Sequence, residues 1–302
     1  MNTILNELLR GLDPDQILTD EPMREHTTMR VGGPADLFLS PASPDQVLFI
    51  LDTCARHQVP VAVVGNGSNL IVRDKGIRGA VLHLGQAFSA IEELPGCRLQ
   101  AQSGASLSRL AQEALKSGLS GLEFASGIPG SVGGGVAMNA GAYGGELKDV
   151  LETATVLKDG KIITMTCGEL EAGHRTTRVL REGGIVLSAV FRLESGDPDA
   201  IRSRMDDLNA RRRDKQPLQY ASSGSTFKRP AGHFAGALIE GCGLKGFRVG
   251  GASVSVKHAG FVINDRDATA GDVLSLIREI QERVLRETGV SLETEVRVLG
   301  EA

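Results

Sequence analysis

The chain has 302 residues, 41% of them hydrophobic and 23% charged, with a net charge of −4 and a pI near 5.9. That length allows a substantial core divided into two or three domains, and the composition is ordinary for a soluble globular protein. Net negative charge gives no electrostatic footprint for nucleic acid, and nine Phe, two Tyr and no Trp leave few rings for base stacking. Cys54, Cys97, Cys167 and Cys242 lie far apart with no C-x-x-C pair. This spacing predicts neither a metal site nor a disulfide framework, but buried thiols in a reducing compartment. No apolar run reaches membrane-spanning length, so a cytoplasmic protein is expected, with no membrane partner.

Ile4, Leu5, Leu8, Leu9 and Leu12 recur at helical spacing and predict a short amphipathic helix within residues 1–22. Residues 35–39 read as a strand. Ser43 then caps a helix with Val47, Leu48, Leu51 and Ala55 on its apolar face, ending near His57. The β-branched run 60–64 predicts a buried strand feeding the turn 65–69, and 70–72 and 80–84 continue its sheet. The block 23–85 is thus expected to be a small α/β unit. Strand 98–102, helix 107–117 closed by Gly118, a hairpin in 152–166 turning at Asp159-Gly160, and strand 184–193 make a second α+β unit, 86–195. Ser195-Gly196-Asp197-Pro198 marks a boundary. Beyond it, in 196–302, come a basic-ended helix 199–213, a short helix 234–240, a Thr269-capped helix with Val273, Ile277, Ile280 and Val284 on one face, and a terminal strand 295–299.

Residues 127–145, GIPGSVGGGVAMNAGAYGG, hold eight glycines in nineteen positions. Glycine permits positive φ and close backbone approach, and successive bared amides form anion-binding nests. A second such word, VGNGSNL, covers 64–70. Either alone is more often a tight turn; the pair points to one long ligand with a pyrophosphate in its middle. Gly241-Cys242-Gly243-Leu244-Lys245-Gly246 satisfies G-x-G-x-x-G, yet a helical stretch precedes it and Phe247-Arg248-Val249-Gly250-Gly251 cannot be a helix. It predicts a helix C-terminal turn, not a dinucleotide fingerprint. No P-loop pattern occurs.

Three more clusters carry chemistry-bearing residues: Thr28-Met29-Arg30-Val31-Gly32-Gly33, Ser222-Ser223-Gly224-Ser225-Thr226-Phe227-Lys228-Arg229, and Leu292-Glu293-Thr294-Glu295-Val296-Arg297. Read singly, these are a turn into a strand, a solvated turn and an edge strand. Alternation puts Glu293 and Glu295 on one face.

In series, TTMRVGGPAD, GNGSNLIV, SGIPGSVGG, the GSTFK turn, KHAGFVIN and LETEVRVLG resemble the UDP-N-acetylenolpyruvoylglucosamine reductase family, from about Thr28 to Leu299. The resemblance implies an α+β fold: an FAD-binding unit of the vanillyl-alcohol-oxidase type in two subdomains, 23–85 and 86–195, with a substrate-binding domain at 196–302. It implies NADPH-dependent reduction of an enolpyruvyl UDP-sugar through FAD, with no obligate protein partner and no metal. Gly65, Asn66, Gly67, Ser68, Asn69, Gly127, Ile128, Pro129, Gly130, Gly133, Gly134, Asn139 and Gly141 fall on the family's FAD contacts. Arg175, Ser225 and Glu295 fall on its catalytic arginine, proton-donor serine and terminal acid. The short stretch between Arg175 and Ser225 is similar to the family's shorter form. Lys215, Lys228 and Arg229, by charge and position, and Tyr143 are candidate substrate contacts. His174, Arg229 and Gly135 depart from the family's commoner tyrosine, asparagine and alanine. An FAD-dependent oxidase of the same fold and a non-catalytic flavin binder are the alternatives; retention of the three catalytic positions argues against the latter.

Overall fold

A computed structural model describes residues 2–302 and resolves two compact units. The first comprises Met1–Leu18, Phe38–Asn66 and Ala80–Arg212. Its centre is a five-stranded antiparallel sheet in the order Lys161–Thr166, Leu151–Lys158, Ile185–Arg192, Arg98–Gln102, Ile91–Leu94. The hairpin between the first two turns at Asp159 (φ +50°) and Gly160 (φ +73°), the left-handed pair that a two-residue turn requires. Helix Leu107–Lys116 presents Leu107, Leu110, Ala111, Ala114 and Leu115 to the core of this sheet. Ser106 caps its start by accepting the Arg109 amide. Ile201, Met205 and Leu208, from helix Pro198–Lys215, complete that core.

The second unit comprises Thr19–Leu37, Gly67–Gly79 and Arg213–Ala302. Strands Arg248–Val249, Ala252–Val254 and Val262–Asn264 form an antiparallel sheet. Helix Ala270–Thr288 begins with a Thr269–Asp272 capping box and ends at Gly289 (φ +74°). Val273, Ile277, Ile280 and Val284 are buried in the core of this unit, as their spacing predicts. Gly241 to Gly246 is indeed the C-terminal turn of helix Ala235–Gly241, with Gly243 and Gly246 at positive φ.

Four expectations need correction. Val61–Val64 pairs in parallel with Ile77–His83 at a sheet edge, so Val63 is 43% exposed and only Val64 is buried. Leu70–Val72 does not continue that sheet; Arg297–Leu299 pairs with it in parallel, a partner far too distant in sequence to be foreseen. On helix Pro44–Arg56 the buried stripe is Val47, Ile50, Thr53 and Cys54, rotated from the expected face, and Ala55 is exposed. Of the four free cysteines only Cys54 is fully buried, and burial pushes its thiol up to about 11. Among the described residues no helix is long and apolar enough to cross a membrane, and no His/Cys/Asp/Glu group is placed to hold a metal.

Candidate functional site

In the first unit the two glycine words meet. Asn66 Nδ2 donates to the Pro129 carbonyl at 3.3 Å, and a Cβ at Gly65 would lie 2.3 Å from Ser131 Oγ. A side chain at Gly65 would collide with that of Ser131 and force the two turns apart. Ser131 opens the short helix Val132–Ala137, its hydroxyl accepting the Gly134 amide. Gly133 is required by packing: a Cβ would sit 1.7 Å from Ser103 Oγ. Pro129 and Gly134 are exposed and Gly130 is half-buried, so this backbone is presented outward. Gly127 faces Asn209 and Arg212, with a would-be Cβ 2.6 Å from Asn209 Oδ1 and 2.8 Å from Arg212 Nη1.

The second part of the glycine word holds the Arg175 loop. Asn139 is 2% exposed, its Nδ2 donating to Glu146 Oε2 and to the Gly173 carbonyl, both at 3.1 Å, while its Oδ1 accepts the Lys148 amide at 3.0 Å. Its side chain is therefore bonded to three protein groups and works as a clamp on this loop. Thr177 Oγ1 donates to the Ala137 carbonyl at 2.7 Å, and Arg175 Nη1 to that of Gly141 at 3.4 Å. Gly173 and Thr176 close a tight bridge around His174 and Arg175, and Arg175 sits at φ +56°. A non-glycine residue in this region is uncommon, and such strain is held only where surrounding bonds over-determine the backbone. Gly141–Ala142 pairs with Gly145–Glu146, placing Tyr143 at the hairpin tip, 39% exposed.

In the second unit the Ser225 turn and the segment of the terminal acid are brought together, Glu295 falling opposite Thr226, though Ser225 and Glu295 lie 70 positions apart by subtraction. Phe227 bridges Thr294; the Glu295 amide donates to the Thr226 carbonyl and the Lys228 amide to that of Glu293, each at 2.9 Å. Phe227 is buried in the core while Ser225 is exposed. Thr226 is fixed on the other side by its amide to the Gly260 carbonyl and its hydroxyl accepting the Val262 amide. Asn69, the last residue of the first glycine turn, donates from Nδ2 to the Glu295 carbonyl at 3.2 Å and accepts the Arg297 amide at 3.0 Å. The end of that turn and the terminal acid are thus tied together.

Gly67 stands at φ +59°, and a Cβ there would lie 2.0 Å from the His26 carbonyl oxygen. Beside it the Thr28 amide donates to the Gly67 carbonyl at 3.3 Å, while Thr28 Oγ1 is buried with no hydrogen-bond partner among the described residues. A buried hydroxyl without a partner costs about 1–3 kcal/mol, a debt that a bound polar ligand cancels. Within the second unit, the Gly67 backbone cleared of a Cβ and this orphaned hydroxyl fit a polar ligand group such as the diphosphate of FAD. Thr28 opens a cluster that the sequence singled out without giving that residue a role of its own; Arg212 was read only as part of a basic helix end. The substrate candidates separate: Lys228 Nζ pairs with Glu293 at 3.0 Å, the Arg229 guanidinium lies 4.0 Å over the Phe234 ring, and Lys215 is exposed at the end of its helix.

The family model for an FAD binding domain matches residues 35–166, and that for the C-terminal domain of UDP-N-acetylenolpyruvoylglucosamine reductase matches 216–299. The UDP-N-acetylenolpyruvoylglucosamine reductase of Clostridium botulinum strain Hall is 51% identical over 291 residues, 95% of this chain and 94% of that one. That of Exiguobacterium sibiricum is 48% identical over 301 residues, 99% and 98% of the two chains. The crystal structure of the reductase from Thermus caldophilus superposes with a TM-score of 0.80 at 37% identity, covering 93% of this chain and 97% of that chain. An alkyldihydroxyacetonephosphate synthase shares the fold alone, at a TM-score of 0.51 and 19% identity over 65% of this chain and 40% of that chain. The fold and the matched domain define an oxidoreductase with an FAD-binding unit of the vanillyl-alcohol-oxidase type. Within that class the chain belongs to the UDP-N-acetylenolpyruvoylglucosamine reductase family.

Proposed function

We propose that this chain uses NADPH to reduce the enolpyruvyl ether of UDP-N-acetylglucosamine to UDP-N-acetylmuramate, a peptidoglycan precursor, in the cytoplasm. The observation that supports the reading most is the backbone pairing that sets Glu295 opposite Thr226, the neighbour of Ser225, with Asn69 of the first glycine turn tied to Glu295. Residues 23–85 and 86–195 act as the FAD-binding subdomains, with 1–22 as an N-terminal helix and 196–302 as the substrate domain. Bound FAD, held by Gly65 to Asn69 and Gly127 to Gly134, would supply the hydride relay between NADPH and the vinyl CH2 carbon.

Gly65 to Asn69 and Gly127 to Gly134 bind the cofactor through backbone amides and exclude side chains from its diphosphate. Arg175 holds the substrate carboxylate with its guanidinium fork, and so stabilises the negative charge that develops there and on the α-carbon. Ser225 delivers a proton to that α-carbon; protonating so basic a carbon is downhill even from a weak acid. Consumption of one NADPH and one proton per saturated product balances the step. Glu295, near the developing charge, acts as a neutral acid or as the partner of Arg175, because a bare second carboxylate would repel the substrate. Lys215, Lys228, Arg229 and Tyr143 are assigned to the UDP-sugar.

Purified yellow protein tests this reading. It should bleach anaerobically with NADPH and regain colour on adding the enolpyruvyl UDP-sugar. Failure to bleach, or recolouring with oxygen only, would overturn it.

A further inference from the structure

Glu146, at the end of the hairpin 141–146, is half-buried within the first unit. Its Oε2 accepts from Asn139 Nδ2 at 3.1 Å and from Lys148 Nζ at 2.7 Å. A lysine–glutamate pair near the surface contributes little by itself. What this one sits against gives it a use. The Asn139 amide has two N–H groups, one spent on Glu146 and the other on the Gly173 carbonyl at 3.1 Å, where the Arg175 loop begins. Turned over, that amide would set its oxygen against a carboxylate and a carbonyl, so the charge on Glu146 dictates which end faces Gly173. The Glu146 stem also backs Gly141, where a Cβ would lie 2.8 Å from Glu146 Cγ. Gly141 pairs with Glu146 across the hairpin, and its carbonyl accepts Arg175 Nη1 at 3.4 Å. One carboxylate thus underlies both the backbone end of the loop and the seat of the guanidinium. Arg175 itself stands at φ +56°, a conformation that surrounding bonds must hold. The bond from Lys148 holds the Glu146 carboxyl below its ordinary value against the opposing effect of burial, with Asn139 and the nearby His174 adding to it.

We propose that Glu146 is a positioning residue for Arg175: its carboxylate, anchored by Lys148, orients the Asn139 amide that fixes Gly173 and braces the Gly141 carbonyl that receives the guanidinium. This rests on the reading of Arg175 as the holder of the substrate carboxylate. Glu146 acts through the arginine and not on the reacting atoms.

Stopped flow on FAD-loaded protein separates the two half-reactions, with folding checked by circular dichroism. In E146A, reduction by NADPH should keep the wild-type rate, while reoxidation by the enolpyruvyl UDP-sugar should slow about tenfold or more, the size of a lost charge-assisted hydrogen bond. E146Q keeps the length and one acceptor oxygen but not the charge, and should fall between E146A and wild type. R175A should be slow in reoxidation, and adding E146A to it should slow it no further, because nothing is left to position. Equal loss of both half-reactions in E146A, wild-type reoxidation in folded E146A, or a double variant slowed by the product of the two single effects would overturn the proposal. If E146A does not fold, wild-type reoxidation in folded E146Q overturns it instead. Reoxidation of R175A at the wild-type rate would refute the Arg175 reading itself, a result distinct from these.

Discussion

Asn139→Ala separates a clamp from a cofactor ligand. The wild-type amide makes three hydrogen bonds inside the first unit, to Glu146, Gly173 and the Lys148 amide, at 3.0–3.1 Å. At about 1 kcal/mol net for each bond, truncation costs roughly 3 kcal/mol. Asn139 also sits at φ +45°, a conformation asparagine tolerates better than alanine, which adds about 1 kcal/mol. A loss near 4 kcal/mol is a large share of the 5–15 kcal/mol typical of native proteins, so the variant folds but is markedly weakened. Urea unfolding of FAD-free protein measures it, with Asn139→Gly as the control that keeps the backbone conformation and loses only the bonds. The Gly variant should recover part of the alanine loss. Because the Gly173 carbonyl anchors the Arg175 loop, both variants should also lower turnover while leaving FAD affinity within a few-fold of wild type. A stability change below about 0.5 kcal/mol together with a large loss of FAD affinity would refute the clamp and restore Asn139 as a ligand.

Ser225→Ala should still be reduced by NADPH at the wild-type rate yet stall when the enolpyruvyl substrate is added; equal loss of both half-reactions in stopped flow would remove Ser225 from proton donation. Gly67→Ala combines a left-handed φ with a Cβ 2.0 Å from the His26 carbonyl; it should lower the melting temperature and the flavin content of purified protein, and normal values of both would contradict the geometry. Arg248 forks onto Asp265 with two bonds of 2.8 Å, and this pairing holds the carboxyl below its ordinary 3.8. A depressed carboxyl stabilises the fold above its unfolded value and loses that contribution as pH falls below it. The stability gap between wild type and Asp265→Asn should therefore be constant above about pH 5 and close below the ordinary aspartate value near 4. A gap that does not narrow at all as pH falls through the acid range, or one that widens, would sink the assignment.

Local chemistry legible along the chain accounts for the capped helices after Ser43, Ser106 and Thr269, the Asp159-Gly160 hairpin, and the rejection of Gly241–Gly246 as a nucleotide fingerprint. Each depends on groups a few residues apart, so propensity and capping decide them. The family motifs could be read for the same reason, being short words in order. Only the tertiary structure decided what depends on distant partners. Arg297–Leu299 captures Leu70–Val72, Asn139 spends its amide on the Arg175 loop, and Arg212 turns from an apparently solvated helix face to Gly127. The two glycine words illustrate both levels. Sequence determined that these segments lack side chains where a backbone must be approached. Which neighbour makes that approach was set by packing, and at Gly133 it is Ser103, at Gly65 Ser131 and at Gly127 an arginine. Absence of a Cβ is written in the chain, but the atom that fills the vacated space comes from an element remote in sequence.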